Sequence, residues 1–350
     1  MKFAYILASD LTHPGITKKI QGQLSAFSKK YATRLIYLKT PFHYLSFHLD
    51  VLLSFFTSDV FYIRYNPKVP LINIIAAILS FKKIIIIEHN VKFEIELNFL
   101  KRHNENRIHR WTEKVLSNSN CLHVCVTRDI LNFLIDKGYY SKNMCYVQNG
   151  YQIEKIDTKK INHTTLKNIK TLKKRDHKLL VFVGNHYPWH GLHQILDEIK
   201  SLPLTQLLII GPLEKSPKNL PQNCHAINSC NLETLYSIFD LCDFGFGPYR
   251  WDLIGIKEGC PLKSREYLSY GLPIIVNYQD CAGDFDELKP YIYDRRTNEK
   301  IIERALSMDH DKTKLKEIAH RILSWENVLK PVFNHISSKT KSSINDKELS

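Results

Sequence analysis

The chain has 350 residues, 44% of them hydrophobic and 24% charged, with a formal net charge of +14. That balance excludes a disordered or fibrous chain, and the length is enough for two separate cores. Residues 1–150 carry 20 Lys and Arg against 10 Asp and Glu. The basic excess is therefore concentrated in the first half and points to a polyanion: nucleic acid, an anionic membrane face or a phosphorylated substrate.

The first residues, MKFAYILASD, are too short and polar an apolar run for a signal peptide. Lys2–Ala8 reads as a first strand, Ser9 to Gly15 as a loop, and Ile16–Tyr31 as a helix with Lys18, Lys19, Lys29 and Lys30 on its polar side. Those lysines are either a solvated face or a membrane contact. Thr33–Leu38 and Asp59–Arg64 are further strands, and Leu71–Leu79 is a helix. The apolar stretches Leu45–Ile63 and Leu71–Ile87 are each interrupted by polar or charged residues, so no spanning helix is expected. Ile84–Glu88 holds four isoleucines in a row, the pattern of a parallel strand buried on both faces, and ends in Glu88-His89-Asn90. A helix with Trp111 and Val115 follows, then the strand Cys121–Val126, the helix Arg128–Lys137 and the strand Met144–Val147. None of the eight cysteines sits in a CxxC pair. Cys121, His123 and Cys125 read as a packed strand face of reduced thiols, which fits a cytoplasmic protein.

Asp157 to Lys178 is rich in lysine and reads as a linker. The pattern then restarts: strand Leu179–Val183, the turn Gly184–Gly191, helix Leu192–Ser201, strand Leu207–Ile210, helix Leu232–Phe239 and strand Phe244–Phe246. In Glu258 to Val276, EGCPLKSREYLSYGLPIIV, a short helix is stopped by Gly271-Leu272-Pro273 before the strand Ile274–Val276. Strand and helix alternate throughout, predicting two doubly wound, Rossmann-like α/β domains facing a cleft, with ligands at the carboxyl ends of the strands. The expected division is 1–155, a basic linker at 156–177, a second domain at 178–320, a closing helix at 321–337 crossing back to the first domain, and a flexible tail at 338–350.

These residues resemble the GT-B glycosyltransferases, in particular retaining family 4. VFVGNHYPWHGLHQIL is similar to the segment that opens the family's second domain. QNG at 148–150, the E-x7-E of Glu258 and Glu266 followed by Tyr267 and Gly271-Leu272-Pro273, and SWENVLKPVF at 324–333 match further family motifs in order. The resemblance is strongest over 179–276 and weak over 40–115. It implies a nucleotide-diphosphate-sugar donor, a glycan or lipid-linked glycan acceptor, retention of configuration and a place in bacterial surface polysaccharide synthesis, such as O-antigen or capsule. It also implies no metal or other cofactor.

By the same resemblance, Glu266 with Tyr267 would hold the ribose, Glu258 the donor sugar, and Lys263 the diphosphate. Gly184, Asn185 and His190 would line the phosphates, Gly15 would offer backbone amides at a helix N-terminus, and His89 would face the sugar and acceptor. His190 stands where the family usually has Lys, which shifts weight to Lys263. A histidine beside a dianion favours its protonated form. Asp284-Phe285-Asp286 and Asp309-His310-Asp311 spell D-x-D but lie too late in the chain for a donor-metal site. No GxGxxG follows the first strand and there is no P-loop, which argues against an NAD enzyme or an NTPase. Two other readings stay open. One is a non-catalytic binder of an anionic surface or nucleic acid, although no compact basic-aromatic motif favours nucleic acid. The other is a different GT-B reaction, either inverting transfer or nucleotide-sugar epimerisation. The basic first domain would rest against the inner membrane face.

Overall fold

The computed structural model describes residues 1–12, 14–153, 156–173, 176–185, 187–215 and 217–348. The chain divides into two compact units: Met1–Gly150 with Trp325–Ser350, and Tyr151–Ser324.

Unit 1 is built on six parallel strands: β1 (Lys2–Leu7), β2 (Ala32–Tyr37), β3 (Val60–Arg64), β4 (Ile84–His89), β5 (Leu122–Cys125) and β6 (Met144–Tyr146), in the order β2-β1-β3-β4-β5-β6. Its helices are α1 (Pro14–Ser28), α2 (Tyr44–Thr57), α3 (Pro70–Leu79), α4 (Phe93–Phe99), α5 (His103–Ser117) and α6 (Arg128–Asp136). Ile85 and Ile87 of β4 pack into one core with Val51 of α2, Ala76 of α3 and Leu116 of α5, which places those three helices on one face of the sheet. Tyr5 and Tyr62 alternate onto the opposite face, against Phe27 of α1.

That opposite face also buries charge. Lys19 and Glu88, 3% and 2% exposed, form an ion pair of 3.1 Å, and Gln23 and Tyr62 donate to the same carboxylate. Lys29 pairs with Glu326, and Lys30 lies over the Phe333 ring. Lys19, Lys29 and Lys30, read as part of a polar helix face, are thus engaged inside unit 1, because each reaches an acid or an aromatic ring of the same unit.

Unit 2 repeats the architecture with β7 (Lys178–Val183), β8 (Thr205–Ile210), β9 (Cys224–Ile227), β10 (Phe244–Phe246), β12 (Ile274–Val276) and β14 (Ile292–Asp294), ordered β14-β12-β10-β7-β8-β9 and all parallel. A separate pair, β11 (Glu258–Gly259) and β13 (Gln279–Asp280), lies outside that sheet. The helices are α7 (His163–Lys170), α8 (Leu192–Ile199), α9 (Leu232–Leu241), α10 (Leu262–Ser269), α11 (Ile301–Leu306) and α12 (Lys312–Leu323). Leu179 and Val181 of β7 enter one core and Leu180 and Phe182 the other, so this strand is covered on both faces.

Two expected segments are different in the structure. The basic linker at 156–177 contains α7, whose Leu166 and Ile169, with Leu172 just beyond, pack into the unit 2 core beside α9. Three apolar residues spaced by three are enough to dock a short helix, even among lysines. Lys174 and Arg175 of that segment lie outside the described residues. The expected tail at 338–350 is mostly helical: after α13 (Trp325–Val328), α14 runs Lys330–Glu348. Trp325 belongs to unit 1, where its indole crosses α1 at Gly22; a Cβ on Gly22 would meet it at 2.1 Å. Only a residue without a side chain allows that approach. Among the described residues no helix is long and apolar enough to cross a membrane.

Candidate active site

The carboxyl end of β7 and the start of α10 bring together most of the residues singled out in unit 2. Gly184 continues β7 by donating its N–H to the Ile210 carbonyl, then turns with φ +145°. A Cβ there would lie 3.2 Å from Lys263 Nζ and 3.8 Å from the His190 ring. The missing side chain is what leaves room for the ammonium. Lys263 Nζ is buried and makes no hydrogen bond to any described residue. It sits 4.6 Å from the centroid of the Phe182 ring, a partial substitute for water. Burial pushes its pKa down to about 7, against the opposing pull of Glu266. Such an ammonium is costly unless an anion joins it.

His190 is fixed from its Nδ1, which bonds to the Asn185 carbonyl, so Nδ1 carries a proton. Asn185 thus serves through its backbone as the orienting acceptor. Gly191, at φ +69°, closes this turn, and a Cβ on it would meet Tyr249 at 2.8 Å. His186, within the same turn, lies outside the described residues.

One turn along α10, Glu266 is 8% exposed. Its Oε1 accepts from the phenols of Tyr151 and Tyr236 at 3.3 and 3.2 Å, and the two phenol oxygens are 2.8 Å apart. Glu258, on β11, is 7% exposed; its Oε1 accepts from the Cys281 thiol at 3.7 Å. The indole of Trp251 presses on Gly259, where a Cβ would meet it at 1.9 Å. That contact clamps the loop after Glu258.

Tyr267 requires a correction. Its phenol oxygen accepts the N–H of Val183, its ring fills the space over Gly245, and it is fully buried. The residue ties α10 to the end of β7 and has no surface to offer a nucleotide. Behind it, and missed from the sequence, stands a buried ion pair: Arg265 Nη1 donates to Asp280 at 2.6 Å. Asp280 also accepts from the Tyr278 hydroxyl and the Ala282 N–H, each at 2.8 Å. This network joins α10 to β13, and hence to β11, its partner. The partners are fifteen residues apart, and no local spacing announces them.

In unit 1, Gly15 is the second residue of the fifteen-residue α1. His89 ends β4 but turns into the core. It is 2% exposed, stacks on Tyr65, and its Nε2 lies 3.1 Å from His123 Nδ1. Burial, with His123 and His109 nearby, holds it well below the usual histidine range, so the ring is neutral. The D-x-D aspartates have protein partners: Asp286 pairs with Lys289, Asp309 with Lys178 of β7, and Asp311 caps α12. Among the described residues no group of three or more His, Cys, Asp or Glu could hold a metal ion.

No family model matches the chain, and no curated protein matches it by sequence. Solved structures do match. Anabaena HepE, crystallised with UDP-glucose, superposes with a TM-score of 0.64 at 11% identity, over 97% of this chain and 100% of that one. WaaG, described as a glycosyltransferase of lipopolysaccharide biosynthesis, gives 0.59 at 12% identity, over 93% and 94%. A UDP-GlcNAc 2-epimerase from Neisseria meningitidis, bound to UDP-GlcNAc, gives 0.52 at 14%, over 97% and 100%. The fold is the two-unit α/β fold of GT-B glycosyltransferases, as the motif resemblance implied.

Proposed function

We propose that the chain is a glycosyltransferase that takes a sugar from a nucleotide-diphosphate donor held by unit 2. The observation that carries this reading is the buried, unpartnered ammonium of Lys263 beside Gly184 and His190. A diphosphate supplies the missing negative charge, and the glycine supplies the room. Glu266, braced by two phenols, would accept from the ribose hydroxyls, and Glu258 from hydroxyls of the donor sugar. His190, held through Nδ1, would turn its other edge to the phosphates. Lys263 and His190 would then stabilise the departing diphosphate, where charge develops in the transition state. Gly15 remains in this reading as an amide donor at the start of α1. His89, with its ring buried, is given no contact with the sugar in this reading.

The donor class is supported by HepE and the epimerase, which both carry UDP-sugars in their crystals. Retention, family 4 membership, a lipid-linked or polysaccharide acceptor and cytoplasmic work at the inner membrane face are further parts of the proposal, supported by the motif order. No metal is assigned a step.

The test is thermal shift with UDP, GDP, ADP and CMP. One nucleotide should raise the melting point by several degrees, as saturation at a hundredfold over Kd adds about 2.7 kcal/mol. Glu266→Ala should remove that effect. A protein that no nucleotide stabilises, but that binds RNA, would overturn the reading. Epimerisation is the second reading, because an epimerase shares the fold. Incubation with UDP-GlcNAc and no acceptor separates them: an epimer forms in one case, and only slow hydrolysis in the other.

A further inference from the structure

α2 is apolar on both sides. Phe47, Val51 and Phe55 face the sheet, while Leu45, Leu49, Leu53 and Phe56, on the opposite side, are 73%, 52%, 62% and 85% exposed. A helix with apolar residues on two opposite faces is normally covered on both, and single domains rarely leave so long an apolar row to water. On the same face of the sheet, α3 and α5 flank a groove of about 480 Å³, with Phe81 and Trp111 at its lining, 66% and 57% exposed.

The charges beside the groove are mostly cations. Lys82 follows Phe81, Arg107 and Lys114 flank Trp111 on α5, and all three are exposed. The acids nearby are already neutralised or buried: Asp50 pairs with Arg34, Glu105 with Arg102, and Glu113 is 6% exposed. We infer that the outward face of α2, together with the α3–α5 groove, is a docking surface for an anionic lipid bilayer. Leucine, phenylalanine and tryptophan side chains would enter the acyl boundary, and the cations would meet the headgroups. A second copy of the chain fits this patch poorly. A twofold interface would set Lys82, Arg107 and Lys114 against a like-charged surface. The surface also replaces α1 as the membrane-facing element, since most of the α1 lysines are engaged within unit 1.

Docking deepens the membrane-face part of the proposed function and does not involve the donor site, so its failure would remove that part and leave nucleotide-sugar transfer standing. The experiment is flotation of the full-length protein with vesicles of equal parts phosphatidylcholine and phosphatidylglycerol, and with phosphatidylcholine alone. Binding is expected only with the anionic vesicles, and should fall in high salt. Lys82→Glu with Lys114→Glu should weaken it at least about tenfold, each charge near the surface being worth roughly fivefold. Leu49→Ser with Phe56→Ser should weaken it by about tenfold or more, with melting points unchanged because both side chains are already exposed. Lys18→Glu on α1 should change nothing. Three results would overturn the inference: no binding to anionic vesicles, binding indifferent to both double variants, or a lipid-free dimer in sedimentation that the apolar variants dissociate.

Discussion

Among the described residues none offers the Lys263 ammonium a hydrogen bond, and that makes it separable from the residues around it. Lys263→Met keeps the length and the apolar stem while removing the buried charge. The expected outcome is a more stable ligand-free protein, by about 1–3 kcal/mol, together with loss of the nucleotide-induced shift. Chemical denaturation without ligand and thermal shift with UDP read the two effects independently. A variant less stable without ligand would mean that the ammonium is anchoring the fold. The elements that carry Gly184, Lys263 and Glu266 were legible, because the strand-end glycine and the short helix stopped by Gly-Leu-Pro are local signals. Tyr267 shows the limit of that reasoning. Its position beside Glu266 said it was near the site, but not that its ring points into the core, which only the close approach of Gly245 decides. His89 failed in the same way: ending a strand at the correct edge does not fix which face the imidazole takes.

At the scale of elements, α10 owes its length to a Schellman stop. Leu272 N–H returns to the Tyr267 carbonyl, Gly271 N–H to Leu268, and Gly271 sits at φ +77°. A Cβ on Gly271 would meet the Lys312 carbonyl at 2.6 Å. Gly271→Ala therefore combines left-handed strain with a backbone clash and should cost more than about 1 kcal/mol, measurable as a lower urea midpoint. Because α10 carries both Lys263 and Glu266, nucleotide affinity should fall with it. This stop was legible from Gly-Leu-Pro alone, as β4 was from its isoleucines, because each signal is local. α2 was not, because apolar residues on both faces erase the helical period. α7 was hidden by its lysines. β9 was missed because CHAI has neither alternation nor an apolar run.

Across the whole molecule, one buried group in each unit has a pH dependence of opposite origin. In unit 1, burial pushes the Glu88 carboxyl up, but Lys19 and Arg64 outweigh it and hold it at about 2, against 4.5 unfolded. Its stabilising contribution is complete above pH 4.5 and is lost as pH falls through 2. In unit 2, Lys263 titrates at about 7 when folded and 10.5 when unfolded. Between those values the unfolded chain binds the extra proton, so ligand-free stability should rise with pH across that window; below pH 7 the full cost of the buried charge remains. A bound diphosphate reverses this second effect, because it pairs with the charged form and raises its pKa. The nucleotide-induced shift should therefore be largest near and below pH 7 and shrink as pH climbs toward 9. At pH 8 the complex should take up a proton, seen in calorimetry as a binding enthalpy that varies with the ionisation heat of the buffer. A shift that stays level from pH 6 to 9, with no proton uptake, would place the diphosphate away from Lys263, and with it the donor site away from the end of β7.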